Sequence, residues 1–225
     1  MLIGFIGDVH GGWTDLHTAV DRLAIAGAER IVQVGDFGFW PGIIDSLKTE
    51  VPIYWIDGNH EHFPYLYDIV NNNRLVPQEI LENVFYIPRG TVLNWGNIVF
   101  GFIGGGFSVD HQLRREGIDL FSAYERPKHS EVKPVIAHNA EFIVSHDAPS
   151  EAVYYMPKGL LKNNVQDRES RYVMQTIFEH GAVKNWVHGH YHMRYSAPLA
   201  SCRVIGLACA PDAVLFDTER QQFIY

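Results

Sequence analysis

Five short polar stretches of this 225-residue chain carry carboxylate, amide or imidazole donors. They are "GDVH" with Asp8 and His10, "GDFG" with Asp36, "GNHE" with Asn59, His60 and Glu61, "SHDAP" with His146, and "GHYH" with His190 and His192. Carboxylate, imidazole and amide oxygen without thiolate suit intermediate divalent ions such as Mn, Fe, Zn, Co or Ni. The seven donors Asp8, His10, Asp36, Asn59, His146, His190 and His192 exceed what one tetrahedral ion takes. Two ions sharing a bridging carboxylate would use them economically, and two metals about 3.5 to 4 Å apart clamp the attacking and leaving oxygens of an in-line displacement at phosphorus. Two divalent ions against Asp8, Asp36 and one bridging hydroxide leave such a centre electropositive, as phosphate binding requires.

The donors must be held by elements. Apolar runs over Leu2 to Ile6, Arg30 to Val34 and Val51 to Ile56 each stop at one of these turns, as buried strands ended by glycine-containing loops do. Between the first two, Leu16, Val20, Leu23 and Ala24 or Ile25 recur at helical spacing, which predicts a helix capped by Thr14 and ended at Gly27. A short helix is expected around Ile43 to Leu47. The alternation predicts a largely parallel sheet with its sites beyond the carboxyl ends of the strands. "VFYIP", "TVLNW" and "NIVFGFIG", with a turn over Asn94 to Asn97, predict strands of a second sheet. Phe107 to Ser130 is polar and aperiodic and predicts a loop with one helical turn. Further on, Glu141 to Val144 predicts a strand entering the His146 turn, Gln166 to His180 an amphipathic helix, "NWVH" a strand, and residues 194 to 225 short strands.

"WVHGHYHM" carries His188, His190 and His192 at alternate positions, which on a continuous strand would all face one way. Gly189 marks the point where strand gives way to turn, so His190 and His192 are the candidate ligands and His188 is expected to pack behind them.

In order along residues 8 to 192, these blocks resemble the signature of the calcineurin-like metallophosphoesterases: D-x-H, G-D, G-N-H-[DE], a lone histidine, and G-H-x-H. Each block alone is weak, and their ordered combination is specific. The resemblance implies an α/β fold, a sandwich of two mixed β-sheets flanked by helices, as a single domain over residues 1–225. It implies one metal held by Asp8, His10, Asp36 and His192 and another by Asp36, Asn59, His146 and His190, with Asp36 bridging. It also implies a metal-bridging hydroxide as nucleophile and His60 as general acid toward the leaving oxygen. The expected cofactors are two divalent ions, manganese first, with Fe, Zn, Ni or Co as alternatives. In the family's protein-phosphatase branch the second block continues G-D-x-x-D-R. Here Phe39 and Trp40 occupy the last two places, which argues against protein phosphatase activity. Glu61 or Asp147 is left to orient His60, and the aromatic pair to flank an apolar or nucleobase-like leaving group.

Two further features bear on substrate. Gly105 and Gly106 in "GGGFS" could offer main-chain N–H groups to a phosphate, although such a run is more often a bend. Arg114, beside Arg115 in a polar loop, could fork a phosphate oxygen, against the plainer reading of a solvated pair. A formal net charge of -8 argues against an extended duplex nucleic-acid partner. No apolar stretch approaches membrane-spanning length, so no membrane partner is expected, and the opening residues read as a strand rather than a leader. Cys202 and Cys209 read as small buried hydrophobes, which with the rest suggests a cytoplasmic setting. The sequence leaves oligomeric state open. The favoured function is hydrolysis of a small phosphate ester or nucleotide, as phosphatase or phosphodiesterase. The alternatives are a nuclease on single strands or ends and a non-catalytic interaction scaffold, the second disfavoured because no donor of the series is broken.

Overall fold

The computed structural model describes residues 1–42, 47, 49–157 and 165–224. The helix expected around Ile43 to Leu47 falls mainly on residues outside that description. Among the described residues, thirteen strands and five α-helices build four layers, helix, sheet, sheet, helix.

The first sheet contains β1 (Leu2–Ile6), β2 (Arg30–Gln33), β3 (Ile53–Trp55), β4 (Gln78–Leu81), β5 (Val84–Tyr86), β12 (Ala213–Asp217) and β13 (Gln222–Ile224), in the order β13-β12-β1-β2-β3-β5-β4. The second contains β6 (Val92–Trp95), β7 (Ile98–Ile103), β8 (Phe142–Ser145), β9 (Asn185–His188), β10 (Tyr195–Leu199) and β11 (Cys202–Gly206), in the order β10-β11-β9-β8-β7-β6. Both sheets share one plan. Parallel strands lie in the middle (β1-β2-β3-β5 and β7-β8-β9-β11), and antiparallel strands flank them. Two mixed sheets with flanking helices are the expected fold class, while a largely parallel sheet was too simple. β5, expected in the second sheet, pairs with β3 in the first.

Period-two alternation sorts the strand residues between layers. Ile3 and Phe5 meet Phe100, Phe102, Phe142, Val187 and Phe216 in a core between the sheets, where Phe5 stacks on Phe142 at 5.1 Å. Ile6 and Ile31 face outward onto α1 (Trp13–Ile25) through Leu16, Ala19, Val20 and Leu23, and Leu66 of α2 (Phe63–Ile69) joins the same core. On the opposite face, Ile143, Trp186 and Val204 pack against Val132 and Val135 of α4 (His129–Ala137) and Val173, Met174 and Ile177 of α5 (Val165–His180). The helix α1 begins one residue before the expected cap, behind Gly12, and Thr14 caps nothing. Residues 107–130 hold more structure than a loop: a 3-10 turn at His111–Leu113, the short α3 (Ser122–Glu125), and the first residues of α4.

Candidate metal centre

Because the middle strands of both sheets run parallel, their carboxyl ends open on one rim. Asp8 and His10 follow β1, Asp36 follows β2, Asn59 and His60 follow β3, His146 follows β8, and His190 and His192 follow β9. The backbone there is forced: His10, Asp36, His190 and His192 have φ of 49°, 54°, 69° and 50°. Left-handed conformations at such residues cost free energy and collect at functional sites, where surrounding structure holds them. Chain segments also approach unusually closely. A Cβ on Gly58 or on Gly189 would lie 2.0 Å from a carboxylate oxygen of Asp36 or Asp8 respectively. Gly189 thus ends β9 by letting the chain pass over Asp8, and His190 then turns its N–H onto that carboxylate at 3.0 Å.

The side chains converge in two groups. Donor atoms of Asp8, His10, Asp36 and His192 all lie within 4.8 Å of one another. His10 Nε2 and His192 Nε2 are 3.0 Å apart, and His192 Nε2 is 3.2 Å from Asp8 Oδ2. In the second group, His146 Nε2 is 3.0 Å from Asn59 Oδ1, and its ring lies 4.9 Å from that of His190. Asp36 joins them: its Oδ1 accepts the N–H groups of Asn59 and His60, both at 2.8 Å, leaving Oδ2 to face His10 Nε2 at 3.7 Å and His146 Nε2 at 3.4 Å. A second set of bonds fixes the donors' orientation. His146 Nδ1 meets the Val34 carbonyl at 2.9 Å, so a neutral ring protonated there turns a lone pair on Nε2 toward Asp36. Asn59 Nδ2 donates to Ser108 Oγ at 3.0 Å, which turns Oδ1 inward, and Ser108 in turn donates to Glu125 Oε2 at 2.6 Å. Ser108 and Glu125 carry no recognisable sequence signal, because they act only through Asn59.

Asp8 and Asp36 are both buried, and among the described residues their ion pairs are with histidines alone. Burial opposes a charge on His146, yet Asp36 and Asp8 outweigh it and carry the imidazole up to about 10. A hydrogen bond to Asp8 and one to Cys209 raise His192 to about 10 despite partial burial. Burial pushes the Asp36 carboxyl up, but His146 outweighs that and holds it well below the usual carboxylate range. Imidazoles driven to hold protons around two buried carboxylates mark a surplus of negative charge, and the oxygen and nitrogen donor set fits divalent cations.

Around this rim a cleft of about 330 Å³ is lined by His10, Gly11, Gly38, Trp40, His60, Asp110, Arg114 and Asp119. A larger cavity of about 510 Å³, between Ser122 and Val173, contains none of the candidate donors. His60 faces Asp110, with Nε2 3.9 Å from Oδ2. Burial lowers its imidazole below the ordinary value, and Asp36 and Asp110 pull the other way. Neither carboxylate expected to orient His60 does so. Glu61 is turned inward to accept the N–H groups of Phe37, Gly38 and Phe39 at 2.7, 3.1 and 2.8 Å, and Asp147 accepts from Tyr191 and Ser170, both at 2.6 Å. Phe39 is also unavailable to a ligand, stacked between Trp55 and Tyr65 in the core, while Trp40 stays at the cleft.

Gly105 and Gly106 follow the plainer reading, a bend rather than a phosphate cradle. Gly105 N–H donates to the Asp57 carbonyl and Gly106 N–H to the Glu125 carbonyl, at 2.8 and 3.0 Å, so neither is free for phosphate. Gly105 instead makes room for Arg89, whose guanidinium grips buried Asp57 at the foot of the Asn59 loop. Arg114 and Arg115 part ways: Arg115 is exposed, while Arg114 is largely buried against Ser108, Asp110 and Glu125 and donates to the Asp119 carbonyl. Its nitrogens are already engaged, so it brings positive charge to the cleft rather than an open fork. His188 is buried behind the rim, with Nε2 2.6 Å from the phenolic oxygen of Tyr195, and among the described residues it belongs to neither donor group. Cys209, expected in the core, lies instead with His10 and His192, their donor atoms within 4.8 Å of one another.

A two-sheet α/β sandwich with metal-type donors gathered at one strand-end rim is the architecture of a metal-dependent hydrolase. The chain belongs to the calcineurin-like phosphoesterases, whose family model matches residues 1–194, and it is a hydrolase acting on phosphate esters. The family uses divalent metals. No curated protein sequence matches the chain. Among solved structures, TT1561 of Thermus thermophilus is 14% identical, with a TM-score of 0.59 over 99% of this chain and 96% of that one. An archaeal phosphodiesterase is 13% identical, with a TM-score of 0.50 over 100% of this chain and 98% of its own. At such identities these likenesses concern the fold.

Proposed function

We propose that this chain, acting as a single domain, hydrolyses a small phosphate ester, monoester or diester, with two divalent ions. One is held by Asp8, His10, Asp36 and His192, the other by Asp36, Asn59, His146 and His190. The carrying observation is Asp36, whose Oδ1 is tied to two backbone N–H groups so that Oδ2 faces His10 on one side and His146 on the other. When bound, the ions would activate water and neutralise charge on the phosphoryl oxygens. The oxygen and nitrogen donors around Asn59 suit manganese, with Fe, Zn, Ni or Co as the other candidates.

His60 acts as the proton donor to the leaving oxygen. It stands on the cleft with its ring 5.2 Å from that of His10, and Asp36 and then Asp110 work against the loss of basicity that burial imposes. Arg114 adds positive charge near the transferred phosphoryl group, and Trp40 offers a flat apolar wall to an aromatic or nucleobase-like leaving group. The size of the cleft favours a small ester over a polymer. Both cysteines are free, which supports a reducing, cytoplasmic setting, and no described helix is long and apolar enough to cross a membrane.

The test is metal-replete protein assayed on aryl phosphate monoesters, diesters and short oligonucleotides, with Mn, Fe, Zn, Ni and Co in turn. Activity on one of the small esters is expected. Asp36→Asn should lose bound metal and at least about a hundredfold in kcat together, the scale of losing transition-state charge stabilisation. Unchanged activity in that variant would remove Asp36 from the bridging position, and activity on oligonucleotides alone would favour a nuclease.

A further inference from the structure

We propose that Cys209 is a sulfur ligand to the ion held by Asp8, His10, Asp36 and His192, making that site selective for a thiolate-accepting ion, Zn(II), Co(II) or Fe(II), over Mn(II). The inference rests on the two-ion reading above and extends it with a donor outside the oxygen and nitrogen series.

Three features place the sulfur. First, β11 lies beside β9 and parallel to it, so its carboxyl end opens on the same rim as the loop carrying His190 and His192. Second, the segment after β11 is clamped from both sheets. Leu207 N–H donates to the His188 carbonyl at 2.9 Å, Ala210 N–H to the Asp8 carbonyl at 2.8 Å, and Gly7 N–H to the Asp212 carbonyl at 3.1 Å. The backbone passes so near β1 that a Cβ on Gly7 would lie 1.6 Å from the Ala208 carbonyl oxygen. Residue 209 is thereby pinned between the strand that presents Asp8 and the strand that presents His192. Third, its sulfur and the ring nitrogens of His10 and His192 fall within 4.8 Å of one another, as do the donor atoms of the Asp8, His10, Asp36 and His192 group. The two groups share both histidines, so an ion between the imidazoles is within reach of the sulfur.

The two cysteines differ accordingly. Cys202 packs in the core among Val204, Trp186 and Ile177, and among the described residues it belongs to no metal-type donor group. Cys209 is only partly buried and borders the rim. On binding, the thiol proton leaves to solvent as the sulfur–metal bond forms, with no change in oxidation state. Soft thiolate ligands favour zinc-like ions, whereas carboxylate and carbonyl oxygens favour manganese. The two sites of one centre would therefore differ in preference: sulfur-containing at His10 and His192, oxygen-rich at Asn59.

The experiment is titration of metal-free, reduced protein with Co(II), following bound cobalt by elemental analysis and the near-ultraviolet absorption for thiolate-to-cobalt charge transfer. Two ions per chain and a charge-transfer band are expected. The band should persist in Cys202→Ala and vanish in Cys209→Ser, with the Cys209→Ser protein binding cobalt at least tenfold more weakly at one site. Two bound ions without a band in the wild-type protein would overturn the sulfur ligand and leave the two-ion reading standing. Failure to bind cobalt at all would overturn both. Since the wild-type spectrum is itself a readout, the test holds even if Cys209→Ser folds poorly. Persistence of the band in a folded Cys209→Ser protein, or its loss in Cys202→Ala, would also overturn the assignment.

Discussion

Among single residues, His60 and Arg114 carry the clearest consequences. Asp110 faces His60 and raises its basicity against the burial that lowers it. A general acid must carry its proton, so Asp110→Asn, which removes one of the two raising influences and leaves that of Asp36, should move the alkaline limb of the kcat profile to lower pH and cut kcat about tenfold at neutral pH. A profile unchanged in both limbs would separate Asp110 from the chemistry. Arg114→Met removes the charge that the cleft offers to phosphate while keeping much of the side-chain volume. It should raise KM about tenfold, roughly 1.4 kcal/mol of substrate binding, with a smaller change in kcat. Steady-state kinetics on the best aryl ester checks this. The residue types at this scale were legible from spacing for the metal-type donors. Asp110 was not, because nothing within the 107–130 segment indicates which carboxylate will meet a histidine some fifty positions earlier in the chain.

At the scale of elements, loops rather than strands do the positioning, and Glu61 shows how. Its buried carboxylate accepts backbone N–H groups of Phe37, Gly38 and Phe39, tying the loop after β3 to the loop after β2. Burial, with Asp36 nearby, raises it to about 7 even against those bonds. Glu61→Ala would leave those amides without partners, and a loss of about 3 kcal/mol is expected in urea denaturation of metal-free protein, together with weaker metal binding. Glu61→Gln keeps a carbonyl oxygen for part of the set and should lose less. An Ala variant as stable as the parent would show that the two loops need no brace. Apolar runs and glycine turns made β1, β2, β3, β8 and β9 readable, since strand burial and chain reversal are local properties. They did not reveal α2 or β4, nor that β5 joins the first sheet, because pairing partners are chosen by packing across the sheet and not by the strand's own pattern.

The whole molecule adds a response to acid. His188 is fully buried at the end of β9, and burial lowers its imidazole to about 4, below the 6.5 of a free histidine. The unfolded chain therefore takes up a proton that the folded one refuses. Stability is fully present above pH 6.5 and is lost as pH falls from there toward 4. The full contribution is roughly 3 kcal/mol, and His188→Gln should flatten the fall in that window when metal-free protein is unfolded chemically at successive pH values. An equal slope in both proteins would assign the acid sensitivity elsewhere. By itself the sequence determined the donor types, their order and their attachment to strand ends, since the short apolar runs and the polar turns that end them are written within a few residues. It also separated His188 from His190 and His192, because a glycine between them ends the strand. Only the tertiary structure decided what stands behind and beside those donors. Ser108 sets the Asn59 amide, the amides of Gly105 and Gly106 are spent on carbonyls, and Cys209 arrives at the rim from a strand far along the chain. Parallel strands in both sheets bring distant carboxyl ends to one edge, and no local pattern encodes which side chains meet there.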